Sequence, residues 1–272
     1  MNFSVLMSVY IKESPEFLKE ALESILINQT LLPSEMVLVK DGPLTSELDS
    51  IINDFKGKFP TILKIVGLDN NVGLGKALNI GLQHCTNELV ARMDSDDICA
   101  NDRFESQIEY FKQNYNLDLV GGNIIEFYDT PSNSKLERKV PNEKTDIIKM
   151  AKRRNPINHV SVMFRKDSVI QAGGYKHLPY LEDYYLWIRM IEFGSEMANI
   201  NKNLVYVRTG KAMYKRRGNK EYIKGWHKLQ KEMKKMGIIS NFDLMINMIN
   251  IIIFIYMPAG VKEMVYKLFL RR

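Results

Sequence analysis

Short apolar runs alternate with amphipathic segments through the first hundred residues, and this order constrains the fold more than any other feature. The apolar runs read as buried strands, and the segments between them carry apolar residues at helical spacing. The predicted strands are Phe3–Val9, Met36–Val39, Ile62–Val66 and Leu89–Met93, and the predicted helices are Pro15–Asn28, Thr45–Phe55 and Gly73–His84. Strands that alternate with helices of this length predict an α/β fold with a mostly parallel sheet flanked by helices.

The pattern is less regular after residue 100. Helices are predicted at Arg103–Asn114 and Tyr180–Phe193, strands at Leu117–Gly122, Ile124–Tyr128 and His159–Phe164, and a polar surface loop at Thr130–Pro141. The two cysteines, Cys85 and Cys99, lack the spacing of a zinc site, and they favour a reducing compartment. The first residues carry no pattern typical of a secretory signal.

Polar residues follow the predicted strands of the first half. Ligands of open parallel sheets bind beyond the carboxyl ends of the strands, so these residues are the first candidates for a site. They are Ser8, Tyr10, Asp41, Asp69–Asn71 and Asp94–Asp97.

The strongest chemical signal is the sequence Asp94-Ser95-Asp96-Asp97, which directly follows a predicted buried strand. Neighbouring carboxylates repel one another unless a cation neutralises them. Mn²⁺ and Mg²⁺ prefer carboxylate and phosphate oxygens as ligands. The alternative is an acidic cap for the next helix, but a cap uses one such residue rather than three. We therefore predict a divalent metal that binds together with a phosphate-bearing ligand.

Five motifs in this order resemble the family 2 glycosyltransferases of GT-A fold, and in particular bacterial enzymes that build O-antigen or capsule repeat units. The resemblance covers about residues 1–210. The motifs are Ser8-Val9-Tyr10, Asp41-Gly42, Asn71–Asn79, Asp94–Asp97 and Glu182-Asp183. It implies a catalytic domain at 1–210, with a nucleotide-binding half at about 1–100 and an acceptor half at about 101–210.

The resemblance also implies an inverting transfer of a hexose from a UDP-sugar to a polyprenyl-diphosphate-linked sugar. UDP-galactose is the first choice of donor, and UDP-glucose and UDP-N-acetylhexosamine are the alternatives. Asp183 would be the general base. Asp41 would accept a hydrogen bond from uracil, Asp94 would contact the ribose or the metal, and Asp96 would bind the metal.

Further site residues are expected around these acids. The remaining donor-binding candidates are Ser8, Tyr10, Asn71, Lys76, Arg216 and Arg217, and the acceptor-binding candidates are Glu182 and His159. Arg208 is expected in the same loop as Arg216 and Arg217, which would close over the diphosphate through bidentate contacts. Several of these residues also have a purely structural interpretation. Lys76 could be a solvated helix lysine, His159 a structural histidine and the arginines part of a basic surface, and Glu182-Asp183 could cap a helix. The sequence departs from the family at Lys40-Asp41-Gly42, where one acid of the usual pair is missing, and at Glu13, which is displaced.

The C-terminal segment, residues 211–272, is strongly basic. It carries 14 Lys and Arg against four Asp and Glu, in a chain of net charge +6. An apolar run at Phe242–Met257 and an amphipathic pattern from Val261 favour helices that lie on an anionic membrane surface. The alternative is a helical pair that packs on its own catalytic domain or on a second subunit, as in a homodimer. The segment lacks the motifs of nucleic-acid-binding proteins, so nucleic acid is not expected as a partner.

Together these patterns predict a peripheral enzyme on the cytoplasmic face of the inner membrane. Two other classes compete with the transferase. A sugar nucleotidyltransferase would carry a glycine-rich loop after its first strand, where this chain has Ser8–Lys12. A non-catalytic membrane scaffold would not need the acids Asp94, Asp96 and Asp183.

Overall fold

The computed structural model describes residues 1–128, 130–131, 136–209, 220–257 and 261. Its strands are β1 (Phe3–Val9), β2 (Glu35–Lys40), β3 (Leu63–Gly67), β4 (Leu89–Met93), β5 (Ile98–Cys99), β6 (Leu119–Phe127), β7 (Leu136–Arg138), β8 (Met163–Arg165) and β9 (Met197–Arg208). Its helices are α1 (Pro15–Leu26), α2 (Ser46–Lys58), α3 (Leu74–His84), α4 (Arg103–Gln113), α5 (Lys144–Ala151), α6 (Lys166–Gln171), α7 (Glu182–Glu192), α8 (Lys220–Lys235) and α9 (Asn241–Tyr256).

One sheet runs through the described residues in the order β3-β2-β1-β4-β8-β6-β9-β5, with β7 paired to β6. The strands β3, β2, β1 and β4 are parallel to one another, and β6 is parallel to β9. The strands β5, β7 and β8 are antiparallel to the strands with which they pair. The predicted α/β class with helices on a mostly parallel sheet is confirmed.

The sheet is covered on both faces, because successive side chains of a strand point to opposite sides. Val5 and Met7 of β1 pack in one cluster with Leu22 of α1, whereas Leu6 packs in another with Leu78 of α3. Helix α1 begins where the sequence predicts it: the Ser14 side chain accepts from the Phe17 N–H, and Pro15 follows at the first helical position.

A third cluster joins the C-terminal helices to the rest of the chain. Tyr184 and Ile188 of α7 pack with Trp226 and Leu229 of α8 and with Ile255 of α9. The Asn247 side chain, which interrupts the apolar run, donates to the Gln230 side chain and to the Lys152 carbonyl. One side of the helical pair therefore packs on its own chain. None of the helices in the described ranges is long and apolar enough to cross a membrane.

Four predicted elements need correction. The strand predicted at His159–Phe164 begins at Met163, because His159–Ser161 forms a 3₁₀ turn in which the Ser161 hydroxyl bonds the Asn158 carbonyl. The predicted surface loop contains β7, which pairs with β6. The two strands predicted at 117–128 are one strand with an irregularity near Asn123. Arg208 does not lie in a loop, since it ends β9.

Candidate active site

The polar candidates of the first half share one edge of the sheet. Because β1, β2, β3 and β4 are parallel neighbours, their carboxyl ends face the same way. Tyr10 follows β1, Asp41 follows β2, and Asp94 follows β4. These residues therefore lie at the edge of the sheet where ligands of open parallel sheets bind.

Asp41 organises the turn between β3 and α3. Its carboxylate accepts from the backbone N–H of Val72 at 2.7 Å, from that of Gly73 at 3.1 Å and from the Asn71 side-chain amide at 3.1 Å. Gly42 has a positive φ of 88°, and a Cβ there would lie 2.7 Å from the Asn71 nitrogen, so only glycine fits. A carboxylate can accept about four hydrogen bonds, which leaves Asp41 capacity for one further donor.

Asp94, Asp96 and Asp97 form a cluster in which one oxygen of each lies within 4.8 Å of the others. Burial, together with repulsion from Asp94 and Glu13, raises the pKa of Asp96 to about 7. Burial and the same kind of repulsion from Asp96 and Asp94 also raise the pKa of Asp97 well above its usual value. A divalent cation would relieve both effects, and three carboxylate oxygens are donors that Mn²⁺ and Mg²⁺ favour. The cluster therefore fits a divalent metal.

Basic and polar groups hold this cluster in place. Asp94 forms an ion pair with the guanidinium of Arg92, which is 1% exposed. Ser95 donates to the Glu13 carboxylate at 2.5 Å. The backbone N–H of Arg208 donates to Asp97 at 2.8 Å, and its Nε donates to the Asp96 carbonyl at 3.2 Å.

Glu182 and Asp183 occupy the first turn of α7, and both are half-buried. The N-cap position belongs to Leu181, which makes no side-chain cap hydrogen bond. Asp183 accepts from the Asn155 side-chain amide at 2.7 Å. Burial raises the pKa of Asp183 above its usual value and that of Glu182 to about 7. Carboxyl groups of raised pKa are typical of sites that carry out proton transfer.

The other predicted site residues lie in varied surroundings. Ser8 is half-buried, and Tyr10, Asn71 and Lys76 are exposed. The ring of His159 packs against Tyr175 and Trp187, and its Nε2 lies 2.9 Å from the Tyr175 hydroxyl. Burial holds the pKa of His159 well below its usual value, so its ring is neutral. Arg216 and Arg217 lie outside the described residues.

Sequence reasoning did not find several of the residues that contact the acids. Arg92, Glu13 and Asn155 were given no site role, and Asp97 was not chosen as a ligand. The sequence does indicate an ion pair for Arg92, because a charged residue in an otherwise apolar strand needs a partner. It does not indicate the contact of Asn155, because Asn155 lies 28 residues before Asp183 in the chain.

Solved structures with the same fold bind nucleotide sugars. Staphylococcus aureus TarS 1-349 in complex with UDP-GlcNAc matches 98% of this chain and 77% of its own at 17% identity, with a TM-score of 0.69. The mannosyltransferase PcManGT from Pyrobaculum calidifontis, in complex with GDP-Man and Mn²⁺, matches 97% of this chain and 78% of its own at 14% identity, with a TM-score of 0.63. These matches support the predicted GT-A fold.

Sequence relatives cover nearly the whole chain. The amylovoran biosynthesis glycosyltransferase AmsE of Erwinia amylovora is 45% identical over 87% of this chain and 88% of its own. The UDP-Gal:alpha-D-GlcNAc-diphosphoundecaprenol beta-1,3-galactosyltransferase of Escherichia coli is 38% identical over 100% of this chain and 97% of its own. The family model Glycosyl transferase family 2 matches residues 4–223. The expected resemblance is thereby confirmed: this chain belongs to glycosyl transferase family 2 and is a glycosyltransferase.

Proposed function

We propose that this enzyme transfers a hexose, with inversion, from a UDP-sugar to a polyprenyl-diphosphate-linked sugar during bacterial surface polysaccharide synthesis. The single observation that carries the proposal is the cluster of Asp94, Asp96 and Asp97 at the carboxyl edge of the parallel strands. The donor and acceptor classes are supported by the E. coli relative, whose name gives both. Galactose is the first choice of sugar, and glucose and N-acetylhexosamine are the alternatives.

We assign the metal, Mn²⁺ or Mg²⁺, to Asp94 and Asp96. Asp97 offers a third oxygen, although its Oδ1 already accepts from the Arg208 N–H. Such a cation supplies positive charge that stabilises the departing nucleoside diphosphate. The Mn²⁺ in the complex of PcManGT supports a divalent metal in a protein of this fold.

Asp183 is proposed to act as the general base. It takes the proton of the acceptor hydroxyl while that oxygen forms the new bond to the anomeric carbon. The bond between the anomeric carbon and the β-phosphate oxygen breaks, and its electron pair leaves with UDP. A carboxylate at a helix start is stabilised in the ionised form by the helix dipole, which opposes the effect of burial. Glu182 and His159 are proposed to contact the acceptor.

The donor is proposed to lie along the sheet edge. Asp41 retains one acceptor position for the uracil N–H, and Tyr10 lines the nucleoside pocket. The remaining donor contacts are assigned to Ser8, Asn71, Lys76, Asp94, Arg216 and Arg217. The N-cap residue of α3, Gly73, has no side chain to cap the first turn, and the N-terminus of a helix favours phosphate.

The acceptor is held in a lipid surface, and α9 is proposed to contact that surface. Six large apolar side chains of this helix are exposed: Phe242, Met245, Ile249, Ile252, Ile253 and Tyr256. At 100° per residue they fall within an arc of roughly 100°. The face lies opposite Asn247 and Ile255, which are buried against the rest of the chain. Ten Lys and Arg against two Glu in residues 211–235 complement an anionic bilayer. We infer a peripheral enzyme on the cytoplasmic face of the inner membrane.

A donor screen tests the function. UDP release is measured for UDP-galactose, UDP-glucose and UDP-N-acetylglucosamine with a synthetic GlcNAc-diphospholipid as acceptor, with Mn²⁺ present. We expect UDP-galactose to give the highest acceptor-dependent rate. Asp183→Asn should still bind the donor but lose transfer by about 10²–10⁴-fold. The exposed acid Asp167 provides the control, since Asp167→Asn should keep full activity. The absence of acceptor-dependent release with all three donors would reject the proposed reaction.

A further inference from the structure

Asn155 lies against the proposed base. Its Nδ2 donates to Oδ2 of Asp183 across 2.7 Å, a length typical of a hydrogen bond to an ionised acceptor. The two residues come from different parts of the chain, since Asp183 is in α7 and Asn155 precedes the 3₁₀ turn at His159–Ser161. One of the two oxygens of Asp183 is thus committed to this contact.

The orientation of the Asn155 amide is set by a second hydrogen bond. The backbone N–H of Ile157 donates to Oδ1 of Asn155 at 3.2 Å. Only the amide oxygen can accept this bond, so the NH₂ group must face Asp183. Pro156 follows directly and restricts the backbone of Asn155 to extended conformations. The amide therefore presents a donor to Asp183, and it cannot rotate without losing the Ile157 bond.

The position of Asn155 is also fixed through its main chain. The Nη2 of Arg138 donates to the Asn155 carbonyl at 2.9 Å. Arg138 belongs to β7, where it pairs with Ile124 of β6. The sheet thus supports the residue that touches the base, an arrangement in which a third group orients a catalytic group.

We propose that Asn155 is a positioning residue for catalysis, which holds Oδ2 of Asp183 and leaves Oδ1 to take the proton of the acceptor hydroxyl. This inference rests on the proposed role of Asp183 as base. The hydrogen bond also favours the ionised carboxylate, which is the form that a base needs.

The surroundings of Asp183 contain other charged and titratable groups. Burial raises its pKa, whereas the Tyr184 backbone N–H, Arg138 of β7 and Arg92 of β4 favour its ionised form. Glu182 and Tyr184 of α7 and Tyr175 of the segment before α7 also interact with it electrostatically. All of them remain in a variant at Asn155, so a change in the pH profile of that variant reports the amide itself.

Two variants test the role of the amide. Asn155→Asp keeps an oxygen for the Ile157 N–H but replaces the donor with a second carboxylate. Asn155→Ala removes both bonds. The acid limb of the pH profile of kcat/KM should move to higher pH by about one unit in Asn155→Ala, which corresponds to the loss of one hydrogen bond to a charged group. The shift should be larger in Asn155→Asp, because a like charge then faces the base. The KM for the donor should stay unchanged, and raising the pH should restore part of the activity.

The outcomes separate this inference from the function on which it rests. If both variants fold and keep the wild-type acid limb while Asp183→Asn is inactive, Asn155 has only a structural role and the inference is wrong. If Asp183→Asn keeps its activity, the assignment of the base itself fails. Thermal unfolding monitored by circular dichroism identifies a variant that does not fold. The pH profile of the other variant then decides whether Asn155 positions the base.

Discussion

The backbone N–H of Arg208 donates to Oδ1 of Asp97 across 2.8 Å, although the two residues lie 111 positions apart. The guanidinium of the same arginine lies over two rings, 3.8 Å from the centroid of Phe17 and 4.7 Å from that of Phe127. It also forms an ion pair with Glu20 of α1. The end of β9 is thereby attached both to the acidic cluster and to the first helix.

Replacement of Arg208 should weaken metal binding without removing a ligand. Arg208→Gln loses the ring contacts and the bond to the Asp96 carbonyl, so the acids are held less firmly. Loss of such outer contacts typically lowers metal affinity by about 10–100-fold. We expect this change in the Mn²⁺ concentration that gives half-maximal UDP release. Lys19 of α1 is exposed, and Lys19→Gln should leave the Mn²⁺ dependence unchanged. An unaltered Mn²⁺ curve in Arg208→Gln would show that the arginine does not support the cluster.

Asp96→Ala should abolish Mn²⁺-dependent turnover and leave the fold intact. The wild-type carboxyl has a raised pKa because burial and neighbouring acids penalise its charge, so its removal should not destabilise the metal-free chain. The measurements are UDP release during a Mn²⁺ titration and the Tm with and without Mn²⁺. Wild type should gain Tm on adding Mn²⁺, and Asp96→Ala should gain much less. Asp146→Ala, at an exposed position of α5, is the control. Full wild-type activity in EDTA would remove the metal from the mechanism.

Glu182 should make the chain less stable at high pH. Burial raises its pKa from 4.5 to about 7, so the folded state binds the proton more tightly than the unfolded state does. Stability from this group is therefore present below about pH 4.5 and is lost as the pH rises towards 7. Glu182→Gln cannot lose stability in this way. At pH 8 we expect its free energy of unfolding to exceed that of wild type by about 1 kcal/mol, which corresponds to a Tm higher by about 2–4 °C. The difference should shrink towards pH 5.

The control for this measurement is Glu109→Gln, at an exposed position of α4. It should follow the wild-type Tm at every pH. A Glu182→Gln variant that is no more stable than wild type at pH 8 would mean that burial does not penalise the charge of Glu182.

The first half of the fold could be predicted from local patterns. Its strands are short apolar runs with clear turn signals, and Leu89–Met93 has the predicted bounds. The candidates that follow these strands were found because parallel order brings their ends to one edge. Local sequence was sufficient here because the apolar periodicity that distinguishes strands from helices is itself a local pattern.

The second half depends on contacts between distant residues. The strand β9 was missed because its first part, Met197–Asn203, contains three asparagines, which are depleted in strands. Pairing with β6 over nine residues stabilises β9 as a strand despite these asparagines. Asn155 and Arg208 were missed as supports of the acids for the same reason, since tertiary contacts alone place them there.

The exposed apolar face of α9 leads to the last prediction. Ile253→Asp puts a charge into this face, where it would have to enter the lipid interface. We expect binding to vesicles of phosphatidylglycerol and phosphatidylethanolamine to fall at least about 10-fold, since the change costs both apolar burial and electrostatic attraction. Asn250→Asp adds the same charge to an exposed residue of the same helix outside the face, so it should weaken binding far less. Both variants should keep the wild-type Tm, because both side chains are exposed.

Vesicle cosedimentation measures the binding, and sedimentation velocity measures the oligomeric state. If Ile253→Asp leaves vesicle binding intact and instead converts a dimer into a monomer, the face joins two copies of the chain and the membrane assignment is wrong.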